Sequence, residues 1–270
     1  MSKGIGKISR ARLAKVIAVS KGTITPKVVA SSLSVTQQEA GRLLSRWCVS
    51  GWLKRVRRGF YVSIPIEAAP EKYAIENPWS VIAKIYEPGY VGGFSAIKHW
   101  DLSEQIFETV VFLTTKKVKD RSPVLSGIRV HLKTIASRKL FGLKTTWFGS
   151  AKIFVSDPSR TIVDLLDEPR LGGGISPVCD FFESYLESSH KNLDLLIEYA
   201  EKMENQTIFK RMGFLLELLS PTELAQLKKI ESKISKGHSQ LDSDLRCSKV
   251  VSRWNLKVPE SWWRRYDRKK

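Results

Sequence analysis

Apolar residues recur at three- and four-residue steps over residues 9–20, with Ile8, Leu13, Val16 and Ile17 on one stripe, which predicts an amphipathic helix. Thr25-Pro26 opens a second helix, because Thr caps well and Pro suits a first helical position that needs no N–H. Val28, Val29 and Leu33 supply its apolar side before a short turn at Ser34-Val35. Thr36-Gln37-Gln38-Glu39 then has the form of a capping box, in which the Thr36 hydroxyl takes the Glu39 amide and Glu39 reaches back. The third helix repeats Ala40, Leu43, Leu44, Trp47 and Cys48 and stops at Gly51. From there the pattern becomes strand-like: residues 52–56 and 60–64 flank Arg57-Arg58-Gly59, a tight hairpin with Gly free to take positive φ.

Glu67-Ala68-Ala69-Pro70 reads as a linker, which places a first domain at residues 1–66 and a second at 71–270. Asn77-Pro78 is again a cap followed by Pro, and residues 79–86 and 93–100 have helical spacing. Residues 108–114, 127–135 and 144–155 are rich in Val, Ile, Thr and aromatics and are bounded by Gly, Ser or Pro, as strands are. Asp157-Pro158 starts a helix running to Asp167, and residues 169–177 read as a loop. Helical spacing returns at 181–186, 193–202, 209–219 and 223–234, with a last strand at 249–258. The expected fold is α+β: an N-terminal winged helix-turn-helix, then a mixed β-sheet and a helix-rich C-terminal domain.

Charge changes this picture more than composition does. Of 270 residues, 42% are hydrophobic and 27% charged, which is globular, and the net charge is +18. Residues 1–60 hold thirteen Lys and Arg against Glu39 alone, and residues 246–270 hold nine against Glu260 and Asp267. Residues 61–245 are left with a net charge of −1. Two basic ends around a neutral body suit a chain that docks on a polyanion. No apolar run approaches the roughly 18 residues of a membrane span, no secretory signal is recognisable, and the three cysteines are isolated. The expectation is a cytoplasmic protein with no membrane partner.

The helix-turn-helix directs the search for chemistry. Its second helix lies in the major groove and presents base-reading side chains. With Ala40, Leu43, Leu44 and Trp47 turned to the core, Thr36, Gln37, Gln38, Gly41, Arg42, Ser45 and Arg46 face outward. Gln pairs bidentately with adenine and Arg with guanine. Gly41 costs about 1 kcal/mol of helix propensity relative to Ala, for which close backbone approach to DNA and local packing are both adequate reasons. Lys54, Arg55, Arg57 and Arg58 on the hairpin suit a wing that meets phosphates. The tail Trp262-Trp263-Arg264-Arg265-Tyr266 mixes cations with aromatics, as single-strand binders do, although a Trp pair packed on the domain is the commoner arrangement. His99, His131, His190 and His238 stand alone, so no metal or other cofactor is expected. Neither Ser95-x-x-Lys98 nor Asp157 with Glu231-Ser232-Lys233 makes a persuasive catalytic set, and the expectation is no enzyme. Two alternatives stay open: a DNA-targeted nuclease and an RNA-binding protein.

Three segments together resemble AbiEi-type antitoxins. They are the hairpin sequence Gly51-Trp52-Leu53-Lys54-Arg55-Val56-Arg57-Arg58-Gly59-Phe60-Tyr61, the run Tyr90-Val91-Gly92-Gly93-Phe94-Ser95-Ala96, and Ser156-Asp157-Pro158-Ser159-Arg160-Thr161 with Asp164-Leu165-Leu166. The resemblance covers about residues 5–180. It implies a two-domain repressor that binds inverted repeats in the promoter of its own operon. It also implies a cognate nucleotidyltransferase toxin, in a type IV toxin–antitoxin or abortive-infection system. The basic C-terminal tail departs from that pattern.

Overall fold

A computed structural model describes residues 6–20, 22–65, 67–68 and 74–268. The chain opens with helices α1 (Lys7–Val19), α2 (Pro26–Leu33) and α3 (Gln37–Val49), followed by the antiparallel strands β1 (Leu53–Arg57) and β2 (Phe60–Ser63). Caps fix the helix starts as their sequences demand. Thr25 Oγ1 accepts the Val28 N–H ahead of Pro26, and Thr36 Oγ1 accepts the Glu39 N–H at 3.2 Å. Trp47, Leu44 and Val29 are buried in a core that also takes in Leu13, Val16 and Tyr61. Ile8 and Ile17, expected on the buried stripe of α1, are 75% and 39% exposed. Only Leu13 and Val16 of that helix are buried, and Ser9 contributes a hydroxyl that accepts from Trp47 Nε1 at 3.0 Å.

Next come α4 (Pro78–Tyr86), β3 (Gly89–Val91), α5 (Gly93–His99), β4 (Thr109–Thr114), β5 (Val124–Leu125), β6 (Ile128–Thr134), β7 (Leu143–Phe148) and β8 (Ala151–Ser156). Strands β3 to β8 form a six-stranded sheet in the order β5-β6-β4-β3-β8-β7. It is mixed: β4 runs parallel to β6 and β3 parallel to β8, while β5 is antiparallel to β6. Gly89 is required where β3 passes β4, because a Cβ there would run into the Leu113 carbonyl oxygen. The single strand expected over residues 144–155 is two strands, β7 and β8, divided at Gly149, whose φ is +59°.

Helices then dominate: α6 (Pro158–Asp167), α7 (Ile175–Glu187), α8 (Leu193–Lys202), α9 (Gln206–Leu219) and α10 (Leu224–Glu231). Helix α7 begins inside the stretch expected as loop, because the buried Asp242 carboxylate accepts the Ile175 N–H at 2.9 Å and caps it from outside the segment. Short strands β9 (Ser239–Gln240), β10 (Lys249–Val251) and β11 (Leu256–Val258) form a separate three-stranded sheet, and α11 (Glu260–Asp267) follows. The strand expected at 249–258 is thus a pair folded about Asn255, at φ 48°. In α11, Trp262 and Tyr266 are buried and Trp263 is half-buried, while Arg264 and Arg265 stay exposed.

The chain divides into two compact units: Met1–Tyr90 with Glu108–Thr134 and Thr145–Phe154, and Val91–Phe107 with Ile135–Lys144 and Val155–Lys270. The expected boundary at residues 67–70 does not fall between them, and Ala69 and Pro70 lie outside the described residues. The first three helices and the hairpin share unit 1 with α4, β4, β5 and β6.

Candidate nucleic-acid interface

Helix α3 is amphipathic in the sense its sequence requires. Ala40, Leu43, Leu44 and Trp47 are buried, and Thr36, Gln37, Gln38, Arg42, Ser45 and Arg46 are all exposed. Helix α2 leads into it through Ser34, which takes the left-handed conformation at φ 53°, and Val35 N–H closes on the Ala30 carbonyl at 3.1 Å. Arg42 and Arg46 form no ion pair among the described residues. Gly41, which precedes Arg42, is half-exposed, and a Cβ there would meet nothing within 4 Å. Its φ is not positive either. Neither packing nor backbone geometry therefore explains the glycine.

The hairpin turns at Arg58-Gly59, with Gly59 at φ 83°. Its ladder pairs Arg55 with Tyr61 and then slips, so that Arg57 pairs with Phe60. That irregularity lies beside the two exposed cations Arg57 and Arg58; Arg55 is also exposed and Lys54 half-buried. Arg57 differs from its neighbours. Its Nη1 donates to the Tyr86 hydroxyl of α4 at 3.2 Å, and its guanidinium carbon lies 5.6 Å from the centre of that ring. Burial pushes the Tyr86 phenol up, and the Arg57 charge partly offsets this. On the same strand, the Arg55 carbonyl lies 3.5 Å from Ser126 Oγ. Both ties lie within unit 1. Tyr86 was invisible as a partner in the sequence, since it reads only as the end of an amphipathic helix.

The residues weighed as catalytic are engaged elsewhere, within unit 2. Asp157 Oδ1 caps α6 by accepting the Arg160 N–H at 2.8 Å, and Oδ2 accepts from the Tyr199 hydroxyl at 2.9 Å. Glu231 is paired with Arg253 at 2.9 Å. Among the described residues no group of three or more His, Cys, Asp or Glu is placed to hold a metal ion, and no helix is long and apolar enough to cross a membrane.

The architecture defines a mixed α+β protein with a small N-terminal helical and hairpin module. No family model matches the chain, and no curated protein matches it. Its fold is similar to the crystal structure of the Rv2827c protein from Mycobacterium tuberculosis, with a TM-score of 0.64 covering 95% of this chain and 93% of that one. The two sequences are 13% identical, so the likeness is one of fold.

Proposed function

We propose that the chain is a sequence-specific duplex-DNA-binding repressor of its own operon, with α2 and α3 as a helix-turn-helix and the β1–β2 hairpin as its wing. The observation that carries this reading is the outer face of α3. Gln38, Arg42 and Arg46 stand exposed around Gly41, a residue that nothing in the fold requires. A helix that enters the major groove needs side chains of those types and a close backbone approach. The hairpin beside it offers Arg55 and Arg58 to phosphates.

The second half of the reading follows from the AbiEi-type resemblance: the chain neutralises a nucleotidyltransferase toxin, and its operator is an inverted repeat. Gel shifts on the gene's own upstream region test the first half. Arg42→Ala and Gln38→Ala each relax base preference, at a cost of about 1–3 kcal/mol for a lost bidentate contact. Unchanged discrimination in both variants removes α3 as the reading helix. Tighter binding to single-stranded RNA than to duplex removes the reading altogether.

A further inference from the structure

Folding redistributes the charge that the linear sequence concentrates at its ends. Unit 1 holds twenty-two Lys and Arg against seven Asp and Glu, which is +15 of the chain's +18. The addition beyond the first 60 residues comes chiefly from residues 108–134, whose sequence holds Lys116, Lys117, Lys119, Arg121, Arg129 and Lys133 against the two acids Glu108 and Asp120. Averaging over residues 61–245 hides this cluster, because the acids that cancel it belong to unit 2.

The cluster has a fixed place. The loop from β4 to β5 starts at Thr114, whose hydroxyl donates to the Tyr86 carbonyl at 2.5 Å, and Lys116 Nζ donates to the Ile85 carbonyl at 3.2 Å. It returns along β6, where the Arg121 carbonyl accepts the Leu132 N–H at 2.8 Å and the Pro123 carbonyl accepts the Val130 N–H at 3.1 Å. Tyr86 is the residue that holds Arg57, and the turn between β5 and β6 is the one that approaches Arg55 through Ser126. Asp120 is near enough to Tyr86 to act on its phenol, and it also accepts the Ser122 N–H at 2.9 Å. Lys117, Lys119 and Arg121 are exposed and form no ion pair among the described residues.

We propose that residues 117–121 are a second phosphate-contacting element, meeting the backbone of duplex DNA alongside the hairpin through Lys117, Lys119 and Arg121. The inference rests on the duplex-binding reading above. A loop hydrogen-bonded at both ends presents its cations in a fixed arrangement, which lowers the ordering cost of contact relative to a free tail. Contacts of this kind add affinity and salt dependence without adding base preference.

The test is the salt dependence of duplex binding by the full chain, with Lys117→Ala, Lys119→Ala and Arg121→Ala combined. Three lost phosphate contacts lower the slope of log K against log salt by about 2.7 units. Preferred sequence and unfolding midpoint stay at the parental values, since all three side chains are exposed. A control carries Lys144→Ala, Lys228→Ala and Lys236→Ala, exposed cations of unit 2 that remove the same charge. A parental slope in the loop variant, or an equal drop in the control, overturns the loop contact. The duplex-binding reading survives either result as long as the unaltered chain binds. No duplex binding by the unaltered chain overturns both.

Discussion

Arg160 and Asp164 stand one turn apart on α6 with their charged atoms 3.0 Å apart and neither side chain exposed to solvent. The guanidinium carbon of Arg160 also lies 4.1 Å from the centre of the Phe141 ring. In sequence the pair looks like an ordinary i,i+4 surface contact, which is worth a few tenths of a kcal/mol. Burial changes its character, because removing one partner deprives a fully buried charge of an ion pair that water does not replace. Asp164→Ala therefore costs about 3–5 kcal/mol in denaturant unfolding, while Arg160→Met with Asp164→Leu recovers most of the loss. A cost under about 1 kcal/mol for the single variant rules out a buried pair.

Tyr199 reports on the same helix through pH. Burial, and then the Asp157 carboxylate that accepts its hydroxyl, push its phenol up to about 12. The unfolded chain titrates near its ordinary value of about 10. Folding thus favours the neutral phenol, so its stabilisation is complete below about pH 10 and is lost as pH rises through about 12. Tyr86, Tyr185 and Tyr266 are raised as well, so the informative quantity is a difference spectrum. Subtracting the alkaline absorbance titration of Tyr199→Phe from that of the parent leaves a single tyrosinate step well above pH 10. A step at the ordinary value places Tyr199 in contact with water and without its carboxylate partner.

How much of this was legible in the sequence depends on whether the deciding interaction is local. The caps at Thr25, Thr36, Asn77 and Asp157 each act three residues ahead, three of them with Pro next in line, and those helix starts are where the pattern puts them. The exposed set on α3 follows directly from a 3.6-residue period around Trp47. What the pattern missed is set from a distance. Asp242 starts α7 from 67 residues away, Tyr86 holds Arg57 from 29 residues away, and β3 has only three residues. The exposure of Ile8 and Ile17 was missed for a different reason, since periodicity identifies a stripe but not the width of the surface that covers it.

Gly41→Ala separates stability from binding. Nothing within 4 Å opposes the added methyl, and helix propensity favours Ala, so the variant unfolds with up to about 1 kcal/mol more stability. On the proposed function its affinity for the operator duplex falls, because the methyl would stand where the backbone is proposed to approach the groove. Equal or tighter operator binding, measured by gel shift alongside thermal unfolding, removes the close-approach explanation.

On the proposed function, the hairpin cations do not act alike. Arg55→Ala and Arg58→Ala each reduce the salt slope of duplex binding by about 0.9 units, with no change in the order of preferred sequences. Arg57 is held by Tyr86, so Arg57→Ala chiefly affects the fold, through loss of a hydrogen bond worth about 1 kcal/mol. Tyr86→Phe serves as the companion variant, reproducing the stability loss while leaving the cation in place. A full slope change from Arg57→Ala with unaltered stability reverses this assignment.

Repression and toxin neutralisation are expected to be separable, but the fold decides how the separation is made. A cut at residues 66–71 divides unit 1, because the first three helices and the hairpin share it with residues 74–90, 108–134 and 145–154. Either fragment then exposes surface that Tyr86, Arg57 and their neighbours cover in the whole chain. Point variants in the full chain avoid this. Gln38→Ala with Arg42→Ala removes two exposed side chains and no core contact, so the protein keeps its fold and loses operator discrimination. Promoter repression, read from a reporter fused to the upstream region, is lost. On the proposed function, growth of cells expressing the cognate nucleotidyltransferase toxin is still rescued, since both substitutions lie in unit 1 and leave unit 2, at a net +3, unchanged. Rescue that disappears together with repression in this double variant would falsify the division, and protection would then run through DNA binding alone.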